Sequence, residues 1–185
     1  VGPGRRNIIW SLEKLCFRRR LFDKGIYLMY AFAMAENERT SNNATAQFLQ
    51  FFQVILSGTE ANLKQRFKVI ENVLNMPGKG SRNLAFFAMS TGIKATGFFR
   101  MGGEEKQGSG KELKDNEPSF EEILEYWKKI IDQLVIIACS EGQDAETAKS
   151  IIAKRTRELC YRGGANLILT AIEKVVDCLG ETKWE

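Results

Sequence analysis

The stretch from Ser119 to Ala138, SFEEILEYWKKIIDQLVIIA, restricts the fold more than any other part of the chain. Phe120, Ile123, Leu124, Trp127, Ile131, Leu134, Val135 and Ala138 recur at helical spacing and share one face, the mark of an amphipathic helix that must be covered. Ser119 and Glu122 have capping-box spacing directly after Pro118, so the sequence also marks where this helix starts. On the opposite side Glu125 precedes Lys129 by four residues, the favourable order for a helical ion pair. No alternating strand pattern with turn punctuation occurs anywhere in the chain.

The same periodicity sets Leu63, Phe67, Ile70 and Leu74 on one face, with Lys64, Lys68 and Glu71 on its flank. Ser57 and Glu60 have capping-box spacing just ahead of them. Further helices are predicted near 6–20, 24–36, 43–56, 82–99, 144–160 and 164–179. The segment 82–99 is apolar on almost every side, which suits the middle of a bundle, and its Ala88, Gly92 and Ala95 form a stripe that admits a close neighbour. The expectation is an all-α, compact bundle of about seven to nine helices. It forms a single domain over 1–185, with an option of two lobes, basic over 1–100 and acidic over 119–185. Between them 101–118 reads as a mobile, glycine-rich loop, and 75–83 reads as a tight basic turn.

Several function classes are disfavoured by residue type. Histidine is absent, and Cys16, Cys139, Cys160 and Cys178 form no Cys-x-x-Cys pair, which argues against a zinc site and against histidine-based nucleophilic catalysis. No cofactor, small-molecule substrate or enzymatic role is expected. The cysteines read as free, buried thiols of an intracellular, reducing compartment, cytoplasm or nucleus. The apolar run Gly25–Ala35 stops at Glu36 after eleven residues, short of the about 20 that a membrane span needs. The start of the chain lacks a signal-peptide pattern. GKGS (78–81) and GSGKE (108–112) suggest phosphate loops, but Val73 and Glu105 stand where the preceding glycine is required. Asn43-Ala44-Thr45 is formally a glycosylation acceptor, with nothing else to indicate secretion.

Charge supplies the positive indication. The net +4 is divided, with fifteen Lys and Arg against six Asp and Glu over 1–100, and twelve against seventeen over 101–185. The halves therefore carry +9 and −5. The candidate nucleic-acid contacts are Arg5, Arg6, Arg18, Arg19, Arg20, Lys64, Arg66, Lys68, Lys79 and Arg82, beside aromatic residues Phe17, Phe22 and Phe67. Cations that hold phosphates while rings stack on bases are the footprint of single-strand binders. The expectation is a non-enzymatic helical protein that binds RNA or another polyanion and self-associates as a homo-oligomer, like a viral nucleocapsid, matrix or RNA-binding regulatory protein. The alternative is a helical protein–protein interaction module without nucleic-acid binding, its basic and acidic faces engaging other chains.

Each cluster also has a structural explanation. Arg18 to Arg20 close a helix whose apolar stripe is Ile8, Leu12 and Leu15, and cations there stabilise the helix dipole by roughly 0.3–1 kcal/mol. Arg19 falls on that stripe, so either the helix bends before it or its side chain runs along the core edge. Arg155 is in phase with Ala148, Ile152 and Leu159, as a buried ion-pair member or a cleft residue, near Lys154, Arg157 and Arg162. Glu121, Glu122 and Glu125 read as surface. The polyanion expectation requires folding to gather the cations of the first hundred residues on one continuous face.

Overall fold

The structure, a computed structural model, describes residues 3–38, 43–100 and 113–180. These residues form eight helices and no strand: α1 (Pro3–Phe17), α2 (Arg19–Met34), α3 (Ala44–Gln50), α4 (Leu63–Leu74), α5 (Lys79–Gly92), α6 (Phe120–Ala138), α7 (Gln143–Tyr161) and α8 (Ala165–Leu179). The all-α bundle read from periodicity is the fold. One hydrophobic cluster runs from Ile9 on α1 to Val175 on α8, and both halves of the chain contribute to it.

The helix expected over 6–20 breaks at Arg18, whose backbone is extended (φ −75°, ψ 121°). That single residue reverses the chain, and α1 and α2 lie against each other. The packing is close because Gly25 has no side chain: a Cβ there would stand 2.7 Å from Cys16 Sγ. The break also resolves Arg19, which opens a new helix instead of continuing the α1 stripe.

The helix expected over 43–56 stops at Gln50. Beyond it the Phe51, Phe52 and Gln53 carbonyls point to side chains: Arg66 Nη1 donates to Phe51 O (3.3 Å) and Gln53 O (2.6 Å), and Tyr126 Oη donates to Phe52 O (3.2 Å). Leu56 then adopts a left-handed conformation (φ 52°), rare for a branched side chain. Ser57 and Glu60 do not form the expected capping box. Ser57 is fully buried, and Asn62 with Gln65 caps α4 instead. The Ser119–Glu122 box does form, and it starts α6.

α5 starts three residues earlier and ends sooner than the expected 82–99 helix. Past Gly92, the Glu158 carboxylate on α7 accepts from Ala95 N (3.1 Å), Thr96 N (3.2 Å) and Thr96 Oγ1 (3.1 Å), replacing the helical partners. The small stripe meets α6 as its residues allow: a Cβ on Gly92 would lie 2.5 Å from Ile130 Cδ1. Phe87, in contrast, is 58% exposed, so α5 is not covered on every side.

Two further expectations need correction. Cys139 and Cys178 form a disulfide, while Cys16 is a buried free thiol and Cys160 an exposed one; four buried free thiols are not what the fold contains. The stretch 101–112, including GSGKE, lies outside the described residues. Its continuation 113–118 is docked: Leu113 is buried, and Asn116 N donates to Thr59 O (2.9 Å). No helix among the described residues is long and apolar enough to cross a membrane.

Candidate polyanion interface

Folding distributes the ten candidate cations over two ends of α2 and its neighbours. α2 has 16 residues, and at 1.5 Å per residue its ends are about 24 Å apart. At its start stand Arg18, Arg19 and Arg20. Arg19 Nε donates to Gln65 Oε1 (3.1 Å), which brings the first turn of α4, with Lys64, to the same end. At its finish are Arg5 and Arg6 from α1. The start of α5 lies there too, since a Cβ on Gly80 would fall 2.6 Å from Met34 Cε. Lys79 and Arg82 thus belong to the second end. The eight cations so placed fall into two groups, Arg18, Arg19, Arg20 and Lys64 at one end and Arg5, Arg6, Lys79 and Arg82 at the other.

In-chain partners occupy several of these cations. Arg5 pairs with Glu36 (3.3 Å), donates to Asn37 Oδ1 (3.0 Å) and Phe32 O (3.1 Å), and stacks 5.8 Å over the Phe32 ring. It closes the last turn of α2. Arg18 pairs with Glu60 (3.1 Å), whose other oxygen accepts the Arg19 backbone N–H (3.2 Å). Lys68 pairs with Glu71 one turn away (3.4 Å), and Arg82 pairs with Asp144 at the start of α7. Arg6, Arg20 and Lys79 are exposed and form no ion pair among the described residues.

Arg66 cannot contact a surface ligand, and that assignment is corrected: it has no exposed surface. At 100° per residue it lies about 20° from Val73 and about 40° from Ile70, inside the buried arc of α4, while Lys64 and Lys68 point outward. The two valines at 69 and 73 widen the apolar stripe past Arg66, and this signal was present in the sequence. Phe17 and Phe22 are likewise core residues, and Phe17 carries the Arg100 guanidinium 5.1 Å above its ring. Phe67 is half-buried, with Lys129 Nζ 5.9 Å over its ring.

Two carboxylates show how completely the chain uses its own charge. Burial would raise the Glu36 carboxyl, but N–H groups of Glu38 and Ala44, the Arg5 cation and the Asn37 N–H outweigh it and hold the group below the usual carboxylate range. Burial likewise acts upward on Glu158, and Arg155, the Ala95 N–H and Thr96 hold it low. Arg155, read as an ion-pair member or a cleft residue, is the former: it pairs with Glu158 and donates to Ser90 Oγ (3.3 Å).

Between α4 and α6 lies a cavity of about 110 Å³, bordered by Lys64, Phe67, Glu122, Glu125, Tyr126 and Lys129. Its border carries charges of both signs, with Lys129 bonded to Glu125 (3.0 Å). A polyanion entering here would meet Glu122 and Glu125 together with the lysines.

The sequence reading missed a buried polar cluster beside Gly58. Arg100 Nη1 donates to Asp115 Oδ1 (3.3 Å), and Gly58 N donates to Asp115 Oδ2 (3.4 Å). Gln50 Nε2 and Arg100 Nε converge on Gly58, 2.9 and 3.3 Å from where its Cβ would be. Its positive φ (72°) excludes a side chain in any case. Burial pulls the Arg66 guanidinium down to about 10, opposed by Tyr126 and Asp115. These contacts span residues 50 to 115 and left no local pattern to read.

Comparison with protein-family profiles, with curated proteins and with solved structures returns no match.

Proposed function

We propose that the chain is a non-enzymatic helical interaction module whose α4–α6 groove receives a segment of another protein chain, a second copy being the first partner to test. The mixed charge of the groove carries this reading: Lys64, Lys129, Glu122 and Glu125 line it together with Phe67. Such a rim complements a peptide that presents an apolar side chain between charges of both signs. The net +9 and −5 of the two halves favour association of copies, the basic half of one against the acidic half of another.

Polyanion binding is the second reading, favoured by one cluster. Arg19, Arg20, Lys64 and Lys68 are all exposed, and Arg19 is bonded to α4 through Gln65. This end of the bundle would contact a phosphate backbone; Arg5 and Arg82, tied to Glu36 and Asp144, would not.

Light scattering across protein concentration and salt, with a parallel titration of a single-stranded RNA of about 20 nucleotides, separates the two. The module reading expects concentration-dependent association that Phe67→Ala with Lys129→Glu abolishes. A chain that stays monomeric throughout, while binding RNA with a log-salt slope of about −0.7 per neutralised phosphate, replaces it with the polyanion reading.

A further inference from the structure

The cluster beside Gly58 holds more buried donors than acceptors. Arg66 Nε and Nη2, Arg100 Nε, Gln50 Nε2 and Ser57 Oγ are all buried without a hydrogen-bond partner among the described residues. Arg66 and Ser57 have no exposed surface, and Gln50 retains 8%. Arg100 is bonded to the Asp115 carboxylate and Arg66 is influenced by it electrostatically without a bond, so two guanidinium charges are set against one carboxylate. Buried donors are normally satisfied, and a cationic donor left unpaired in a low-dielectric setting is strongly disfavoured. Such a concentration of unsatisfied donors is what an oxyanion site presents when its occupant offers too few oxygens.

We propose that Gly58 N–H, Arg100, Arg66 and the Gln50 amide form a binding site for a small oxyanion, a carboxylate or phosphate group, which Asp115 fills from within the chain. Asp115 brings two acceptor oxygens on a strap, 113–118, held by the buried Leu113 and by the Asn116–Thr59 bond. A phosphate brings more oxygens and a higher charge to the same donors. The strap is thus a tethered competitor, and an external oxyanion binds by taking the place of Asp115. A tether of this kind presents its carboxylate at an effective concentration in the millimolar range or above, which lowers the apparent affinity for any free ligand. This inference does not depend on the function of the α4–α6 groove.

The test uses the full chain, with inorganic phosphate and acetate titrated separately against chloride at constant ionic strength. Binding heat and the thermal midpoint are followed for wild type, Asp115→Ala, Asp115→Asn and Asp115→Ala with Arg100→Gln. Asp115→Ala is expected to bind one of the two anions about tenfold or more tightly than wild type, with a midpoint that climbs and saturates, and Arg100→Gln is expected to abolish the gain. A phosphate-only response assigns the site to phosphate groups, and an acetate response assigns it to carboxylates. Should Asp115→Ala fold only when the anion is present, that rescue supports the site equally. The proposal is overturned if Asp115→Ala, folded by circular dichroism, responds to neither anion beyond wild type. It is also overturned if the response survives Arg100→Gln, or if neither anion rescues an unfolded Asp115→Ala and Asp115→Asn gains no affinity.

Discussion

Arg66 and Arg155 are both drawn out of solvent, yet their surroundings are built differently. Arg155 on α7 finds Glu158 one turn along its own helix and Ser90 across the interface with α5. Arg66 on α4 finds no carboxylate in bonding range among the described residues; Phe51 and Gln53 turn backbone carbonyls toward it, after α3 gives up its helical course. The first cation is balanced locally by charge. The second is balanced by rearranged backbone, with the Asp115 carboxylate acting on it electrostatically and without a bond. A buried cation can therefore be stabilised by reshaping the chain around it, and that reshaping fixes the 51–60 segment, which leads into α4.

Removing the two arginines is the strongest way to break this contrast. Arg66→Ala is expected to lose roughly 3–5 kcal/mol in urea unfolding, because it empties core volume and strands two carbonyls. Arg66→Met is expected to lose less, since it fills the space and removes the burden of a buried cation. An Arg66→Ala loss under about 1 kcal/mol would show that the 51–60 segment holds its shape without it. Arg155→Ala should cost roughly 1–2 kcal/mol, a smaller amount because its side chain keeps 15% of its exposure and Glu158 retains three backbone and hydroxyl partners on 95–96.

Acid sharpens the same comparison. Glu158 is held below its ordinary value of 4.5 in the folded chain, so the folded state binds fewer protons than the unfolded one just below that pH. Its stabilisation is complete above the unfolded value and disappears as pH falls through the folded one. Unfolding midpoints measured from about pH 6 down to about pH 3 should therefore decline less steeply in Glu158→Gln than in wild type. An unchanged decline would remove Glu158 from the account of the α5–α7 contact.

The smallest effect is local. Cys16 is joined to the 51–60 segment, its carbonyl accepting from Thr59 Oγ1 (2.7 Å), and burial, with some help from Glu13, pushes its thiol up to about 12. Cys160 lies exposed on α7, two residues beyond Glu158. A thiol reagent at neutral pH should modify Cys160 quickly and Cys16 only through opening of the fold. Arg66→Met should speed the Cys16 reaction and Arg155→Ala should not; equal acceleration by both would mean that the two regions open together.

What the sequence disclosed follows from range. The α6 face and its Ser119–Glu122 box depend on neighbours three and four residues apart, and both are present as read. The irregular phase of Arg19 marked a true break, although not its position at Arg18. The end of α3 was not legible, because the donors that capture its carbonyls, Arg66 and Tyr126, are thirteen or more residues away. For the same reason the cation clusters looked available: Glu36, Glu60 and Asp144, which engage Arg5, Arg18 and Arg82, lie 31, 42 and 62 residues from them in sequence.

The Cys139–Cys178 bond, across a sequence separation of 39, closes a covalent ring that includes the whole of α7. In the chain-entropy view such a ring removes about 4 kcal/mol of freedom from the unfolded state. α7 carries Asp144, Arg155 and Glu158, which grip α5 and the segment after it through polar contacts. While the ring is intact, a helix that lets go of α5 stays tethered at both sides and re-docks; once the ring is opened by a reductant, the same release can spread to α8.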